Sequence, residues 1–341
     1  IFGGCAMRVL HYVWLAILVG AASSAVFADE PSSVDQAREA LSKQEDDADS
    51  AKALEEVFQA AEKSYTLLKK GERTLTYGFD YSLLRDTVIE TVRTGNNVFS
   101  VIGQSEAQHT FTNSFTFDYG VWDNLTFSVR LPMIAKYDTE RDLNAYSLGD
   151  ISASLRWQPW TSLRGKPVTT LYATLGLPTG NSPYDINSQS DLSTGSGTYS
   201  LGVGANMSYV IDPVVLFGSV GYTYNMPITG IGQVRGGRLL EEVDPGSSFS
   251  LSMGFAYALS YDVSLATSYQ MSHSLKPTFT FADGEAEGRG QTSAVMNFSL
   301  GLRTSPDRIV NVNAGFGMTE DSPDVLLGIS MPLDIKGLKA Q

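Results

Sequence analysis

The sequence predicts an all-β transmembrane fold: an antiparallel outer-membrane β-barrel of about 12 strands, preceded by a short periplasmic α-helical segment. Three observations carry this expectation. From Thr74 almost to the C-terminus, apolar and small polar residues alternate with a period of two. The connections between these runs are alternately short and long. The polar positions are mostly Ser, Thr, Gly and Asn, with few Lys or Glu. Period-two alternation alone also fits a secreted β-sandwich, since either fold hides one face of each strand. The loop asymmetry and the small polar residues favour a crowded, wet lumen with lipid outside.

The 341 residues carry 24 Lys and Arg against 37 Asp and Glu, a net charge of −13 with a pI near 4.7. That balance argues against a nucleic-acid binder, which needs a basic stripe. Residues 1–28 read as a signal peptide with a few residues upstream of Met7. Arg8 is followed by an apolar run from Tyr12 to Val19, too short for a lone membrane anchor, and Val26-Phe27-Ala28 fits a signal-peptidase site. The exported chain then begins at Asp29. The one cysteine, Cys5, precedes Met7, so the exported chain is expected to carry no disulfide and no cysteine metal site.

Residues 29–70 are a different material, rich in Ala, Glu, Lys and Gln. Val34, Ala37, Leu41, Ala48, Ala51, Leu54, Phe58, Ala61, Tyr65 and Leu68 recur in steps of three, four and seven, a helical pattern with heptad-like register. Two readings stand: an amphipathic helix packed on the domain that follows, or a self-associating coiled coil. Glu45, Asp46, Asp47 and Asp49 form a solvated face.

The barrel is expected over residues 71–335, with a tail at 336–341. Leu75, Tyr77, Phe79, Tyr81 and Leu83 alternate with Thr76, Gly78, Asp80 and Ser82. Phe111, Asn113, Phe115, Phe117 and Tyr119 turn through Trp122-Asp123-Asn124 into Leu125, Phe127, Val129, Leu131 and Met133. Further runs begin near Gly149, Val168, Thr198, Val214, Ser248, Val263, Ser293, Ile309 and Val325. Short turns are expected at Asp212-Pro213 and Ser305-Pro306-Asp307; long polar loops at 94–106, 138–147, 178–197, 225–247 and 276–290. Tyr119, Trp122, Trp157, Trp160, Tyr209, Tyr222, Tyr224 and Tyr257 fall near strand ends, where they would form interfacial girdles.

Register places Asp80, Asp118, Arg130, Lys136 and Arg156 in the lumen, joined by Arg303 from the odd register of its own strand. These pore-lining charges either pair and stiffen the wall or select the solute. His109 and His273 fall on the outward register without a nucleophile motif beside them, which speaks against a hydrolase. No spacing suggests a metal or cofactor site. Ser193-Thr194-Gly195-Ser196-Gly197 lacks the lysine of a phosphate loop.

Ser147-Leu148-Gly149-Asp150, Leu155-Arg156-Trp157-Gln158-Pro159, Leu177-Pro178-Thr179-Gly180, Thr194-Gly195-Ser196-Gly197 and Asp212-Pro213 resemble the outer-membrane transporter barrels named for the meta-pathway of phenol degradation. Within that group, the helix running into Gly71-Glu72-Arg73-Thr74-Leu75 and the segment Val234-Arg235-Gly236-Gly237-Arg238 look most like the secretion channel of functional-amyloid (Fap) biofilm systems. That resemblance implies a self-associating segment at 32–50, forming a homotrimer. It also implies a plug helix at 53–70, with Leu54, Phe58, Tyr65 and Leu68 on its apolar face. The expected function is a non-enzymatic channel, gated by the periplasmic helix, that exports unfolded amyloid-subunit polypeptide. The alternative is an importer of small hydrophobic or aromatic solutes. Outer-membrane lipid is the expected partner in either case.

Overall fold

The computed structural model describes residues 67–95, 98–160, 166–187, 190–211, 213–235, 237–260, 262–305 and 308–333. The chain divides into two units, Ile1–Ser50 and Ala51–Gln341, and every described residue belongs to the second. The expected signal peptide, the coiled-coil segment, the plug positions Leu54, Phe58 and Tyr65, and the tail lie outside the described residues.

The described residues form strands β1 Arg73–Gly95, β2 Val98–Trp122, β3 Leu125–Asp138, β4 Leu143–Leu148, β5 Ile151–Trp157, β6 Val168–Leu177, β7 Ser200–Ile211, β8 Val214–Asn225 and β9 Ile228–Arg235. They continue as β10 Arg238–Asp244, β11 Ser248–Ala258, β12 Val263–Ser274, β13 Thr278–Phe281, β14 Gly284–Glu287, β15 Gln291–Ser305, β16 Arg308–Gly317 and β17 Val325–Leu333. Twelve of them pair antiparallel in the order β1-β2-β3-β5-β6-β7-β8-β11-β12-β15-β16-β17, and β17 returns to β1 to close the barrel. Among the described residues no helix is long and apolar enough to cross a membrane; these strands are the elements with the length to do so.

Pairing keeps a single face outward around the whole circuit. Phe79 stands opposite Asn113 on one side and Ile329 on the other, and Leu201 stands opposite Leu175 and Tyr224. A one-residue slip anywhere would turn a strand's apolar set inward, so a lipid exterior fixes the register. The outward residues are correspondingly bare: Val203, Met207, Val220, Met253 and Phe255 are all exposed. An apolar surface of that extent on a ring with no second sheet over it is lipid-facing. Trp122, Trp157, Trp160 and Tyr257 are exposed near the short-turn end, and Tyr137, Tyr146, Tyr222 and Tyr224 near the long-loop end, as expected of interfacial girdles.

Several of the expected long loops are ordered differently. The segment expected as a loop at 94–106 mostly extends the first hairpin, which pairs continuously from Arg73↔Tyr119 up to Arg93↔Phe99. Val88, Ile89, Thr91 and Val92 on β1 and Val98, Phe99, Val101 and Ile102 on β2 are strong strand formers, and they prevailed over the polar residues between them. The loops at 225–247 and 276–290 contribute a second sheet, β9-β10-β13-β14. Leu240 and Val243 are its fully buried core.

A bulge interrupts the ring wall where β3 passes from β5 to β4. Arg130 pairs with Ser152 and Met133 with Leu148, so three steps on β3 face four on the other side, and the extra residue falls at Gly149-Asp150. The Gly149 amide still donates to the Pro132 carbonyl, 2.8 Å away.

Candidate functional site in the barrel lumen

The lumenal register is lined by small polar groups. Thr76, Ser114, Thr126, Ser128, Thr170, Asn206, Ser208, Ser252, Ser264, Ser268 and Asn311 are all buried there. Short hydroxyls satisfy one another across strands; Ser219 and Ser252, for example, share a 2.9 Å hydrogen bond.

The six charges expected to line the pore share the register of these small polar residues, and they divide by environment. Near the short-turn end, Arg156 Nη2 donates to Asp118 Oδ1 at 2.7 Å and to Ser128 Oγ at 2.9 Å. Asp118 also accepts short hydrogen bonding from the Ser128 hydroxyl and a 3.3 Å bond from Thr74 Oγ1. Both partners of this ion pair are about 10% exposed, so the cluster is a structural staple withdrawn from solvent. Further along, Arg130 and Asp80 approach only to 3.9 Å and remain half exposed. A pair so open contributes at most about 1 kcal/mol. Lys136 lies beyond Arg130 on β3, opposite Thr110 and Ala145. Arg303 lies on β15, opposite Ile309 near the short-turn end.

The approach to β1 runs along the inner side of the wall. The Leu68 amide donates to Thr126 Oγ1 at 2.9 Å, and Lys70 N donates to Asp123 Oδ1 at 3.0 Å. Thr126 is lumen-facing and fully buried. Gly120 is glycine of necessity: a Cβ there would lie 2.0 Å from the Lys69 carbonyl oxygen. Gly71 reverses the chain at φ +83°, with its amide donating to Gly120 O at 2.8 Å, after which β1 begins. Of the plug-face residues, Leu68 is the one described, and it sits at this mouth.

At the other end the sequence motifs converge on one carboxylate. Asp150, at the bulge, accepts from the Gly180 amide at 3.0 Å, the Ser196 amide at 2.7 Å and the Ser196 hydroxyl at 2.6 Å. Thr179 Oγ1 donates to Gly149 O at 2.7 Å and accepts from the Ile151 amide at 2.9 Å. Thr194 Oγ1 donates to Leu148 O at 3.0 Å. Gly180 and Gly195 touch so closely that a Cβ on either would fall within 2.8 Å of the other's backbone. The segment 178–199 is thereby fastened to β5. Arg235 Nη2, donating to Pro183 O at 2.7 Å, and Gln233 Nε2, donating to Ile186 O at 2.6 Å, fasten it to β9.

The β3–β4 hairpin projects beyond the apolar band. Asp138 at its tip accepts two backbone amides, from Glu140 and Arg141, and a forked contact from the Arg141 guanidinium at 2.9 and 2.6 Å. Burial pushes the Asp138 carboxyl up, but these bonds and the Arg141 charge outweigh it and hold the group below its ordinary range.

His109 and His273 are on the outer wall. His109 Nδ1 shares a 2.9 Å hydrogen bond with Tyr81 Oη, and His273 Nδ1 a 2.8 Å bond with Thr292 Oγ1. Among the described residues no group of three His, Cys, Asp or Glu side chains is arranged to hold a metal. Register analysis missed the roles of Asp150 and Thr126. Their partners lie 30 to 58 residues away, and the order of the glycine-bearing fragments is the one signal that marks Asp150.

A family model described as "Putative MetA-pathway of phenol degradation" matches residues 72–333, the whole of the ring. The chain belongs to this family. A crystal structure of the COG4313 outer-membrane channel from Pseudomonas putida F1 superposes with a TM-score of 0.56 at 14% identity, covering 79% of this chain and 97% of that one. The translocator domain of the autotransporter NalP from Neisseria meningitidis gives a TM-score of 0.42 at 11% identity, covering 84% and 98%. The family member described here thus has an outer-membrane-type barrel fold. Its match ends at Leu333, where β17 completes the seam with β1.

Proposed function

We propose that the chain is a non-enzymatic channel of the Gram-negative outer membrane that passes small hydrophobic or aromatic molecules inward. The observation that carries this reading is the closed twelve-strand ring, apolar outside and hydroxyl-lined inside, in a family described by phenol degradation. Among the described residues the two histidines that a hydrolase would need, His109 and His273, face outward. The half-exposed Arg130–Asp80 pair is the polar feature that a solute would meet in transit. Reconstituted liposomes test the proposal. Phenol should equilibrate across protein-containing vesicles several-fold faster than across protein-free ones, while a disaccharide should not; equal rates for phenol would overturn it.

A second reading, export of an unfolded amyloid-type polypeptide through a barrel plugged by residues 53–70, draws support from one observation. The backbone at Leu68 to Lys70 runs along the lumenal side of the wall. Single-channel currents separate the two. A chain beginning at Gly71 that conducts steadily where the whole chain is silent supports a plug, and equal conductance argues for a constitutively open small-molecule path.

A further inference from the structure

Among the described residues of the twelve ring strands, the outward register holds one carboxamide, Asn113 on β2. It stands between Phe79 on β1 and Met133 on β3, in a row that runs on to Ile329 on β17. Tyr77 Oη donates to Asn113 Oδ1 at 2.6 Å, and the Tyr77 and Phe115 rings lie 5.5 Å apart, so the carboxamide shares the face of these aromatic rings. Phe111, Leu131 and Met133 around it are exposed. A carboxamide has two N–H donors and an oxygen with two lone pairs. Tyr77 occupies one lone pair. Asn113 Nδ2 donates to none of the described residues, and it is not among the buried atoms that they enclose without a partner. Both N–H groups therefore open outward from the wall. Turning the amide over would only transfer the deficit to the Tyr77 hydroxyl.

Depth decides what could meet them. The His109↔Tyr137 pair lies at the long-loop girdle, and Asn113 is four residues further into the band. At the usual rise and tilt of a barrel strand, that is about 10 Å below the girdle. Trp122, in the girdle at the other end of β2, is nine residues away, about 23 Å by the same measure. Lipid headgroups and ester carbonyls lie at girdle level, so the acyl chains around Asn113 hold no acceptor. An N–H left bare in hydrocarbon is costly, and a polar side chain at that depth is a contact point for another protein surface.

We infer that Asn113 is the hydrogen-bonding centre of a contact within the membrane between two copies of this chain, their β1-β2-β3 walls facing across a twofold axis. The chemistry selects a second copy because a carboxamide complements itself. A twofold axis sets a residue opposite its own counterpart, and each Asn113 can then give one N–H to the lone pair of the other's Oδ1 that Tyr77 leaves open. Ile329, Phe79 and Met133, in the same row, supply the apolar surround that keeps this pair dry. The contact does not depend on what the bore conducts or in which direction.

Photocrosslinking of the whole chain in native outer membranes tests it. With p-benzoylphenylalanine in place of Phe111, which leaves Asn113 and Tyr77 intact, irradiation should give an adduct of twice the chain mass. Its yield should fall about three- to thirtyfold in Asn113→Leu, the range expected for losing one side-chain hydrogen bond between membrane-embedded surfaces. Asn113→Gln, which keeps the carboxamide, should retain most of it. The same probe at Val220, on β8 across the ring, should give no such adduct. Heat-modifiable mobility of each variant confirms a folded barrel. Adducts to lipid alone, to a different protein, or within one chain would overturn the contact, as would a doubled-mass yield that Asn113→Leu leaves unchanged.

Discussion

Arg156 reaches Asp118 across the full width of β3, Nη2 to Oδ1 at 2.7 Å, with the Ser128 hydroxyl filling the gap between them. Both charges are withdrawn from water, so removing one strands the other. Asp118→Asn is expected to cost about 3–5 kcal/mol, whereas the double replacement Asp118→Leu/Arg156→Leu should cost much less. Urea midpoints read by heat-modifiable mobility check this. If the single and double variants unfold at the same midpoint, the pair is not the staple described.

Gly120→Ala sets a methyl group against the Lys69 carbonyl, a backbone atom that can yield only by moving the chain. The Leu68 and Lys70 hydrogen bonds should be lost and their amides should exchange about tenfold faster, which corresponds to about 1.4 kcal/mol. Gly78→Ala is the control, because its new Cβ meets the rotatable Ser114 Oγ at 2.8 Å. Equal disturbance by the two variants would remove the special status of Gly120.

Asp150→Ala deletes the acceptor of three hydrogen bonds from Gly180 and Ser196, each worth about 1.5–3 kcal/mol because the acceptor is charged. The segment 178–199 should come away from β5 while the ring stays folded. Chymotrypsin cleavage after Tyr184 should accelerate several-fold with no change in heat-modifiable mobility. Unaltered cleavage would show that the contacts from β9 hold the segment unaided.

The β3–β4 tip should respond to acid. The folded-state carboxyl of Asp138 lies below its ordinary value, so its contribution is fully present above the usual carboxylate pKa of about 3.9 and is lost as pH falls through the depressed value. Amide protection at Glu140 and Arg141, corrected for intrinsic exchange, should hold from neutral pH to about 4 and decline below. In Asp138→Asn that protection should be low and independent of pH.

The faces of the ring were legible in the sequence because lipid imposes them: every strand from β1 to β17 that crosses the apolar band shows the period-two pattern, and the register that Asp80, Asp118, Arg130, Lys136, Arg156 and Arg303 share with the small polar residues follows from parity alone. Beyond the band that constraint lapses. Neither β9, β10, β13 and β14 nor the far end of the first hairpin is asked to present a greasy side, so composition reads as loop where the backbone is paired. Interactions across several strands were equally hidden. Whether Arg156 meets Asp118, and whether Tyr77 reaches Asn113, depends on the stagger between strands, which alternation does not encode.

Most ring neighbours follow one another in the chain or are separated by one short hairpin, whereas β1 and β17 are joined from opposite ends of the domain through nine residue pairs, Leu75↔Leu333 to Leu83↔Val325. Hairpins can form as soon as their residues emerge, but this last ladder must wait for all of them and carries the largest loop-closure entropy. Assembly is thus timed by its final stitch: until β17 docks, two bare strand edges invite mispairing, and slowing that step would prolong exposure to aggregation without altering a single contact of the finished wall.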